Sequence, residues 1–250
     1  YIAYSTNNPR QSFHTVKDER VEVLDLESDI VVYHPADHRL LLCDSLQKKD
    51  RFETFPAFSP DGRTLYFCSA EAKKIPEEYL CSIDFDPSAG TFGSRIDTLV
   101  NAEALGKSVS FPRPSYDGKY IMFTLSDYGN FSIWHKDADL YMTDLQTGTS
   151  RPLAEVNSDD VESYHSWSSN SRWFVFSSRR GDGLYTRPYI CYLDANGVPG
   201  KPFLLPQKET DYYERSLFSF NIPELIRGKI KVDTYKLIDI SKYGEAVRLK

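Results

Sequence analysis

The sequence has 250 residues, of which 40% are hydrophobic and 14% aromatic, and its formal net charge is −6. This composition is typical of a globular chain long enough to bury a core, and it excludes general disorder. The acidic balance argues against a nucleic-acid-binding surface, and no apolar run approaches the roughly 20 residues of a membrane-spanning helix.

Residues 1–50 predict an incomplete four-stranded unit. The segment YIAYSTN (1–7) has the alternation of a second strand, with Ile2 and Tyr4 on one face. The segment DIVVYHPADHRLLLCDSL (29–46) predicts the third and fourth strands of the same unit. The first strand is missing from this part of the sequence.

Three later segments align without gaps and therefore predict a repeat. They are FPAFSPDGRTLYFCS (55–69), FPRPSYDGKYIMFTL (111–125) and YHSWSSNSRWFVFSS (164–178). In each segment a turn-forming Asp-Gly or Asn-Ser pair precedes apolar residues at a period of two, which is the spacing of one strand face. Each segment thus predicts a strand, a hairpin turn and a second strand, with the paired residues Leu65/Phe67, Ile121/Phe123 and Phe174/Phe176 facing inward.

A second element follows each hairpin and predicts two further strands joined by a turn. These elements are YLCSIDFDPSAGTF (79–92), DLYMTDLQTGTSRPL (139–153) and YICYLDANGVPGKPFLL (189–205). Repeated units of four antiparallel strands predict an all-β fold, the β-propeller. We expect an incomplete blade over 1–50, complete blades over 51–104, 105–158 and 159–206, and a connecting segment over 207–220.

The two ends of the sequence leave alternatives open. The missing first strand is either supplied from elsewhere in the chain, or the sequence is one portion of a longer protein with a larger propeller. We favour the second alternative because four blades are few for this fold. Residues 221–250 contain no further repeat but predict a strand at 229–237, and this tail could be a closing strand, a linker or a cover over one propeller face.

Four scattered cysteines, Cys43, Cys68, Cys81 and Cys191, are too few for a disulfide scaffold. We interpret them as buried thiols in strands. The alternative is a Cys68–Cys81 bridge between neighbouring strands, which would need an oxidising compartment and a suitable Cα spacing.

The SPDG hairpin, the I-x-F alternation and the later D-[IL]-Y-x-x-D pattern together resemble the PD40 or WD40-like repeat of TolB-like propeller proteins. The segment FSPDGRTLYFCS (58–69) matches that repeat best, and LSDYGNFSIWHKDADLY (125–141) is similar to TolB-like periplasmic proteins of Bacteroides and related bacteria. The resemblance covers about 55–224. It implies six or seven blades in longer relatives, a place in the periplasm or cell envelope, and a binding or scaffolding role without catalysis. The fourth repeat departs from the pattern, with Ser-Ser-Asn-Ser in place of Ser-Pro-Asp-Gly.

The segment SYHSWSSNSRWFVFSSRRGDG (163–183) combines His165 with many serines, as a hydrolase site does. A serine nucleophile usually lies in G-x-S-x-G, and the nearest match, GKSVS (106–110), lacks the second glycine. We therefore interpret these serines as turn and strand residues and predict no catalytic residue.

Two groups of residues are candidate metal ligands. His34 and His38 are four residues apart, but they lie in a strand and turn, where this spacing does not bring them onto one face. His135 with Asp137 and Asp139 offers oxygen ligands of the kind that Ca²⁺ prefers, without the spacing of a calcium-binding loop. We expect no metal and no cofactor.

Two loops between second and third strands carry arginine together with aromatic residues, a composition typical of binding surfaces. The candidate partner-binding residues are Tyr128, Asn130, Trp134 and His135 in one loop, and Arg179, Arg180, Asp182, Tyr185 and Arg187 in the other. The alternative is that Trp134 and Tyr185 cap the ends of blades while the arginines are solvated or paired with Asp. As surface residues, Arg179 and Arg180 should be replaceable by Ala with less than about 1 kcal/mol of lost stability.

Three functions remain open from the sequence. The first is a protein-interaction or scaffolding module of the cell envelope, with a protein partner whose identity is unknown. The second is an accessory propeller that gates or positions substrate for a larger, peptidase-like enzyme. The third is a sensor that stacks a carbohydrate or peptide on aromatic side chains in the central channel.

Overall fold

The structure is a computed structural model that describes residues 1–12, 22–71, 78–127, 131–246 and 248. The described strands are β1 (Ile2–Ser12), β2 (Glu22–His34), β3 (Arg39–Leu41), β4 (Arg51–Phe58), β5 (Thr64–Glu71), β6 (Glu78–Asp86), β7 (Thr91–Val100), β8 (Ser108–Pro114), β9 (Tyr120–Ser126), β10 (Asp139–Asp144), β11 (Ser150–Pro152), β12 (Glu162–Trp167), β13 (Trp173–Ser178), β14 (Arg187–Tyr192) and β15 (Phe203–Leu204). The described α-helices are α1 (Tyr212–Arg215) and α2 (Thr234–Tyr243).

The strands form four antiparallel sheets arranged as propeller blades, which confirms the predicted fold class. The sheet orders are β1-β2-β3, β4-β5-β6-β7, β8-β9-β10-β11 and β12-β13-β14-β15. We number these sheets blades 1 to 4. Consecutive blades pack on one another, and the first strands β4, β8 and β12 lie side by side towards the centre.

An apolar core lies between each pair of consecutive blades. Leu65 and Phe67 pack against blade 1, Ile121 and Phe123 against blade 2, and Phe174 and Phe176 against blade 3. All six side chains are fully buried, as the period-two pattern predicts. The alternate residues of the same strands, such as Tyr66 and Met122, pack against the following blade.

The hairpin turns are closed by side chains that bond to the backbone. In the first turn Ser59 Oγ donates to Asp61 Oδ1 at 2.6 Å and accepts from Thr64 N at 2.9 Å, and the other two turns repeat both bonds. Blade 4 has Ser171, with φ of +56°, where the other turns have glycine. The Ser171 hydroxyl accepts a hydrogen bond of 2.9 Å from Asp117 N, and this bond links the turn of blade 4 to that of blade 3.

The aromatic residue that begins each repeat also has a structural role. Phe55, Phe111 and Tyr164 all have positive φ, between 48° and 53°, at a register irregularity in the first strand of their blade. Their rings form a row, with centroids 4.3 Å apart between Phe55 and Phe111 and 4.6 Å apart between Phe111 and Tyr164. Such ring contacts add about 0.5–1.5 kcal/mol each.

The alternative of a Cys68–Cys81 disulfide is contradicted. Both thiols are free and buried, and they lie on opposite faces of blade 2, Cys68 towards blade 3 and Cys81 towards blade 1. Side chains on opposite faces of a sheet point apart and cannot be bridged. Cys191 is buried as predicted, whereas Cys43 is only half-buried.

Blade 1 has the predicted second, third and fourth strands, although β2 begins at Glu22 rather than near residue 29. No further strand among the described residues pairs with the free side of β1. Ile2 and Tyr4 occupy the positions of Leu65 and Phe67, but no described blade covers that face, and the two side chains are exposed.

The tail was predicted wrongly at 229–237. Instead of a strand, α2 begins at Thr234, where the Asp233 side chain accepts a hydrogen bond from Tyr235 N and thereby caps the helix. Earlier tail residues cover the outer face of blade 4, since Ser177 Oγ donates to Phe220 O at 2.6 Å and Phe220 N to Thr186 O at 3.0 Å. No helix among the described residues is long and apolar enough to cross a membrane.

Candidate functional site

The arginines of the blade 4 loop lie beneath the surface rather than on it. Arg179 is 2% exposed and Arg187 is 5% exposed. Arg179 Nη2 donates to Gly183 O at 2.6 Å, and its guanidinium lies 4.7 Å from the centre of the Trp134 ring. Arg187 donates to the carbonyls of the tail residues Phe218, Tyr213 and Ser216 and lies 4.9 Å from the centre of the Tyr185 ring.

Arg180 pairs with a fully buried carboxylate. Its Nη2 atom lies 2.8 Å from Glu162 Oε1 and 2.6 Å from Val156 O. Ser178 Oγ and Ser158 Oγ also donate to the same carboxylate oxygen, at 2.8 and 2.7 Å. The assumption that Arg179 and Arg180 are surface residues is therefore wrong, because both bond within the chain.

Three large apolar side chains of these two loops are exposed, beside charged residues such as Asp127, Lys136 and Asp182. Trp134 is 47% exposed, Phe131 38% and Leu184 60%. We call these three residues the loop face. Phe131 and Leu184 are not among the residues predicted from the sequence. They lie in the same two loops as the predicted residues, and their apolar character was the signal that could have identified them.

Arg179 joins the two loops of the loop face. It bonds to the loop of Gly183 and Leu184 on one side and stacks on Trp134 on the other. Asp182 shapes the same loop, because its Oδ1 accepts from Leu184 N and Tyr185 N at 2.8 Å. Partial burial raises the pKa of Asp182, but the N–H groups of Tyr185 and Leu184 together with the charges of Arg187 and Arg179 lower the pKa overall.

The remaining predicted residues divide into two groups. His135 is half-buried and follows the short 3₁₀ turn Ser132–Trp134, where its N–H donates to Ser132 O. Tyr128 and Asn130 lie outside the described residues. Partner binding by the predicted set as a whole stays a prediction.

Three of the candidate metal ligands, His34, His38 and Asp137, have hydrogen-bond partners within the chain. His34 Nδ1 lies 2.6 Å from Asp37 Oδ1, and His38 Nδ1 lies 2.6 Å from the Tyr33 hydroxyl. Asp137 accepts from Asp127 N at 2.5 Å. No group of three or more His, Cys, Asp or Glu side chains comes together within the part of the chain that the structure describes.

His165 is bonded to the backbone of the neighbouring blade. Its Nε2 lies 3.0 Å from Met122 O, and burial lowers the pKa of its imidazole to about 3, so the ring is neutral and Nε2 carries the proton. The adjacent Ser166 hydroxyl donates to Pro223 O at 2.9 Å. His165 is thus a strand residue that joins blades 3 and 4.

A second candidate site lies at the inner ends of the blades, beside the hairpin turns. It is a cavity of about 330 Å³ between blades 2, 3 and 4, closed on one side by the tail, and we call it the channel pocket. The residues used below are Phe58, Arg113, Tyr116, Trp167 and Glu224. Arg113 replaces Ala57 and Ser166 of the aligned repeats, a difference that could have been noticed in the sequence.

No protein-family model matches the sequence, and no curated protein matches it. Among solved structures, TolB from Acinetobacter baumannii is similar at 21% identity and a TM-score of 0.48, over 70% of this chain and 37% of that one. A TolB candidate from Agrobacterium tumefaciens is similar at 18% identity and a TM-score of 0.47, over 74% of this chain and 60% of that one. A puromycin-hydrolysing peptidase from Mycobacterium tuberculosis is similar at 14% identity and a TM-score of 0.46, over 82% of this chain and 30% of that one.

The chain spans less than two thirds of the length of each of these proteins. These proteins include both TolB and a peptidase, and the similarity is too low to transfer an activity from any of them. The predicted absence of catalysis and the predicted periplasmic location therefore stay predictions.

Proposed function

We propose that this chain is a non-catalytic binding module that captures a protein partner at the loop face. The observation that carries the proposal is that buried Arg179 joins the two loops that expose Phe131, Trp134 and Leu184, by bonding to Gly183 O and stacking on Trp134. A few residues contribute most of the binding energy in protein interfaces, and tryptophan is prominent among them.

The arginines support this function from below. Because Arg179 is bonded to one loop and stacked on the other, the partner would meet a surface that is already ordered. Such preorganisation reduces the conformational entropy lost on binding. A location in the bacterial cell envelope is the expectation that accompanies this function, and its support is the resemblance of the repeat.

The proposal is tested by affinity capture from a bacterial envelope extract, with the bound proteins quantified by mass spectrometry. We expect one protein to be retained by the immobilised chain and reduced at least about tenfold when Trp134→Ala and Leu184→Ser are combined, since each anchor is worth over 1 kcal/mol. The matched control is Val198→Ala. Val198 is 50% exposed and lies between β14 and β15, at the opposite end of blade 4 from the loop face.

Val198→Ala should unfold within about 0.5 kcal/mol of the parent chain because Val198 is exposed, whereas the loop-face variant should lose about 1 kcal/mol more, because Trp134 also stacks on Arg179. Equal recovery of every bound protein by the parent and the loop-face variant would contradict the proposal. Loss of the same protein with Val198→Ala would also contradict it, because binding would then not be specific to the loop face.

A further inference from the structure

The channel pocket contains a guanidinium to which the described part of the chain makes no hydrogen bond or ion pair. Arg113 lies at the inner end of β8, and its side chain is only partly exposed. The described residues give this side chain neither a hydrogen bond nor an ion pair within 4 Å. A guanidinium has five N–H donors, and leaving them without acceptors away from water is costly.

The position of Arg113 is fixed by its backbone. Its carbonyl oxygen accepts a hydrogen bond of 2.9 Å from Trp167 Nε1, which joins β8 to β12. The indole of Trp167 is 4% exposed. The arginine therefore extends from a rigid point of the inter-blade wall, unlike a surface arginine on a loop.

The carboxylate of Glu224 lies near Arg113 without bonding to it. Burial lowers the pKa of Arg113 and the charge of Glu224 opposes that shift, which places the two groups within electrostatic range. The tail is held just before Glu224, because Ser177 Oγ donates to Asn221 O at 2.8 Å and Ser166 Oγ donates to Pro223 O at 2.9 Å. Glu224 itself is exposed and lies at the mouth of the pocket.

Apolar and aromatic side chains also line the channel pocket. Phe58 and Tyr116 lie beside the hairpin turns of blades 2 and 3, and Trp167 lies on blade 4. A few polar groups among apolar and aromatic walls, in about 300–1,000 Å³, is the usual construction of a small-molecule site. The cavity is at the lower end of that range.

We propose that the channel pocket binds a small ligand through a carboxylate held by Arg113, with an apolar or aromatic body against the ring side chains. A planar carboxylate can accept two parallel N–H bonds from one guanidinium. A doubly charged phosphate fits less well, because only Arg113 provides positive charge among the lining residues and Glu224 repels a second negative charge. This site is separate from the loop face, and the proposal does not depend on the function proposed there.

The test uses two probes that differ in one group, N-acetylphenylalanine and its uncharged amide. Calorimetric titration should show binding of the acid and at least about tenfold weaker binding of the amide, as expected for loss of charge-assisted hydrogen bonds. Arg113→Gln should remove the preference for the acid. Glu224→Gln should strengthen binding of the acid, because a competing negative charge is removed.

Arg63→Gln is the matched control, since Arg63 is an exposed arginine beside the hairpin turn of blade 2 and does not line the pocket. Arg113→Lys keeps the charge and serves if Arg113→Gln fails to fold, and it should bind the acid more weakly than the parent chain. Absence of binding by the parent chain at millimolar acid would overturn the proposal. Equal binding of acid and amide, or acid binding unchanged in both Arg113 variants, would also overturn it.

A carboxylate beside an aromatic ring occurs in free aromatic acids and at the C-terminus of a peptide. A tetrapeptide that ends in phenylalanine, compared with N-acetylphenylalanine, distinguishes the two sources. Tighter binding of the tetrapeptide identifies a peptide C-terminus, and equal or weaker binding identifies the free acid. Either order supports a carboxylate site only if amidation of the tighter ligand weakens its binding at least about tenfold.

Discussion

Glu53 in blade 2 and Glu162 in blade 4 occupy the same place in the repeat, two residues before the aromatic with positive φ, yet their surroundings differ. Both side chains are almost fully buried, at 1% and 0% exposure. Glu162 accepts hydrogen bonds from Ser158, Ser178 and Arg180. Glu53 Oε2 has no hydrogen-bond partner among the described residues.

The difference follows from one aligned position. Where blade 4 has Arg180, the repeat places Glu71 in blade 2, so no arginine is available at that point for Glu53. Burial raises the pKa of Glu53 to about 7, with Arg51 opposing the shift and Asp29 adding to it. Blade 3 has Val109 at the same place, fully buried in the core between blades 2 and 3. One backbone position thus accommodates a paired carboxylate, an unpaired carboxylate and an apolar side chain.

The largest effect should come from breaking the pair in blade 4. Arg180→Ala leaves the Glu162 carboxylate buried without its counter-charge, which costs about 3–5 kcal/mol. Urea denaturation measures the free energy of unfolding, and the exposed Arg63→Ala is the control, with less than about 0.5 kcal/mol expected. A loss below about 1 kcal/mol for Arg180→Ala would contradict the view that the pair is structural.

Glu53 should behave in the opposite way, since its charge destabilises the fold. Because the pKa of Glu53 is about 7 in the folded chain and near 4.5 when unfolded, its favourable protonated form is fully populated below about pH 4.5. The stability that protonated Glu53 contributes to the fold is therefore lost as the pH rises through 7. Glu53→Gln should therefore stabilise the chain by about 2 kcal/mol at pH 8 and change little at pH 4.

Glu162→Gln is the matched comparison for this pH dependence. It should destabilise the chain at pH 8, because it removes the charge that Arg180 needs. If Glu53→Gln lowers the free energy of unfolding at pH 8, Glu53 has a stabilising partner, and the contrast between the two blades is wrong.

Much of the fold could be predicted from the sequence because the repeat is local. The turn pairs at 61–62, 117–118 and 170–171 and the apolar alternation after them are determined by neighbouring residues, and the structure confirms the strands on both sides. The tail could not be predicted in this way. Its apolar residues fit either a strand or a helix, and the cap at Asp233 decided for α2.

The candidate sites were less predictable, because burial is not a local property. Arg179 directly follows β13, and Arg187 begins β14. Nothing in the neighbouring sequence shows that Trp134 covers Arg179 or that the tail covers Arg187. The channel pocket joins three blades and the tail, so its residues are distant in sequence. Only the replacement of Ala57 and Ser166 by Arg113 in the aligned repeats pointed towards it.

The smallest effect concerns two equivalent serines and sharpens the same comparison. Ser178 Oγ donates to Glu162 and accepts from Arg180 Nε at 3.0 Å, whereas Ser69 Oγ accepts from Arg51 Nε at 2.9 Å. Ser178→Ala should cost about 1.5 kcal/mol, and Ser69→Ala about 0.5 kcal/mol, because only Ser178 bonds to an ion pair whose carboxylate is fully buried.

Urea denaturation of both variants at pH 8 measures this difference of about 1 kcal/mol. When Ser178→Ala is combined with Arg180→Ala, the double variant should lose less unfolding free energy than the sum of the two single losses, since both residues bond to one carboxylate. Ser69→Ala combined with Arg180→Ala should be additive, because the two sites lie in different blades. Strict additivity in blade 4 would show that Glu162 binds its partners independently, and the partner network would then not explain why this carboxylate is accommodated and Glu53 is not.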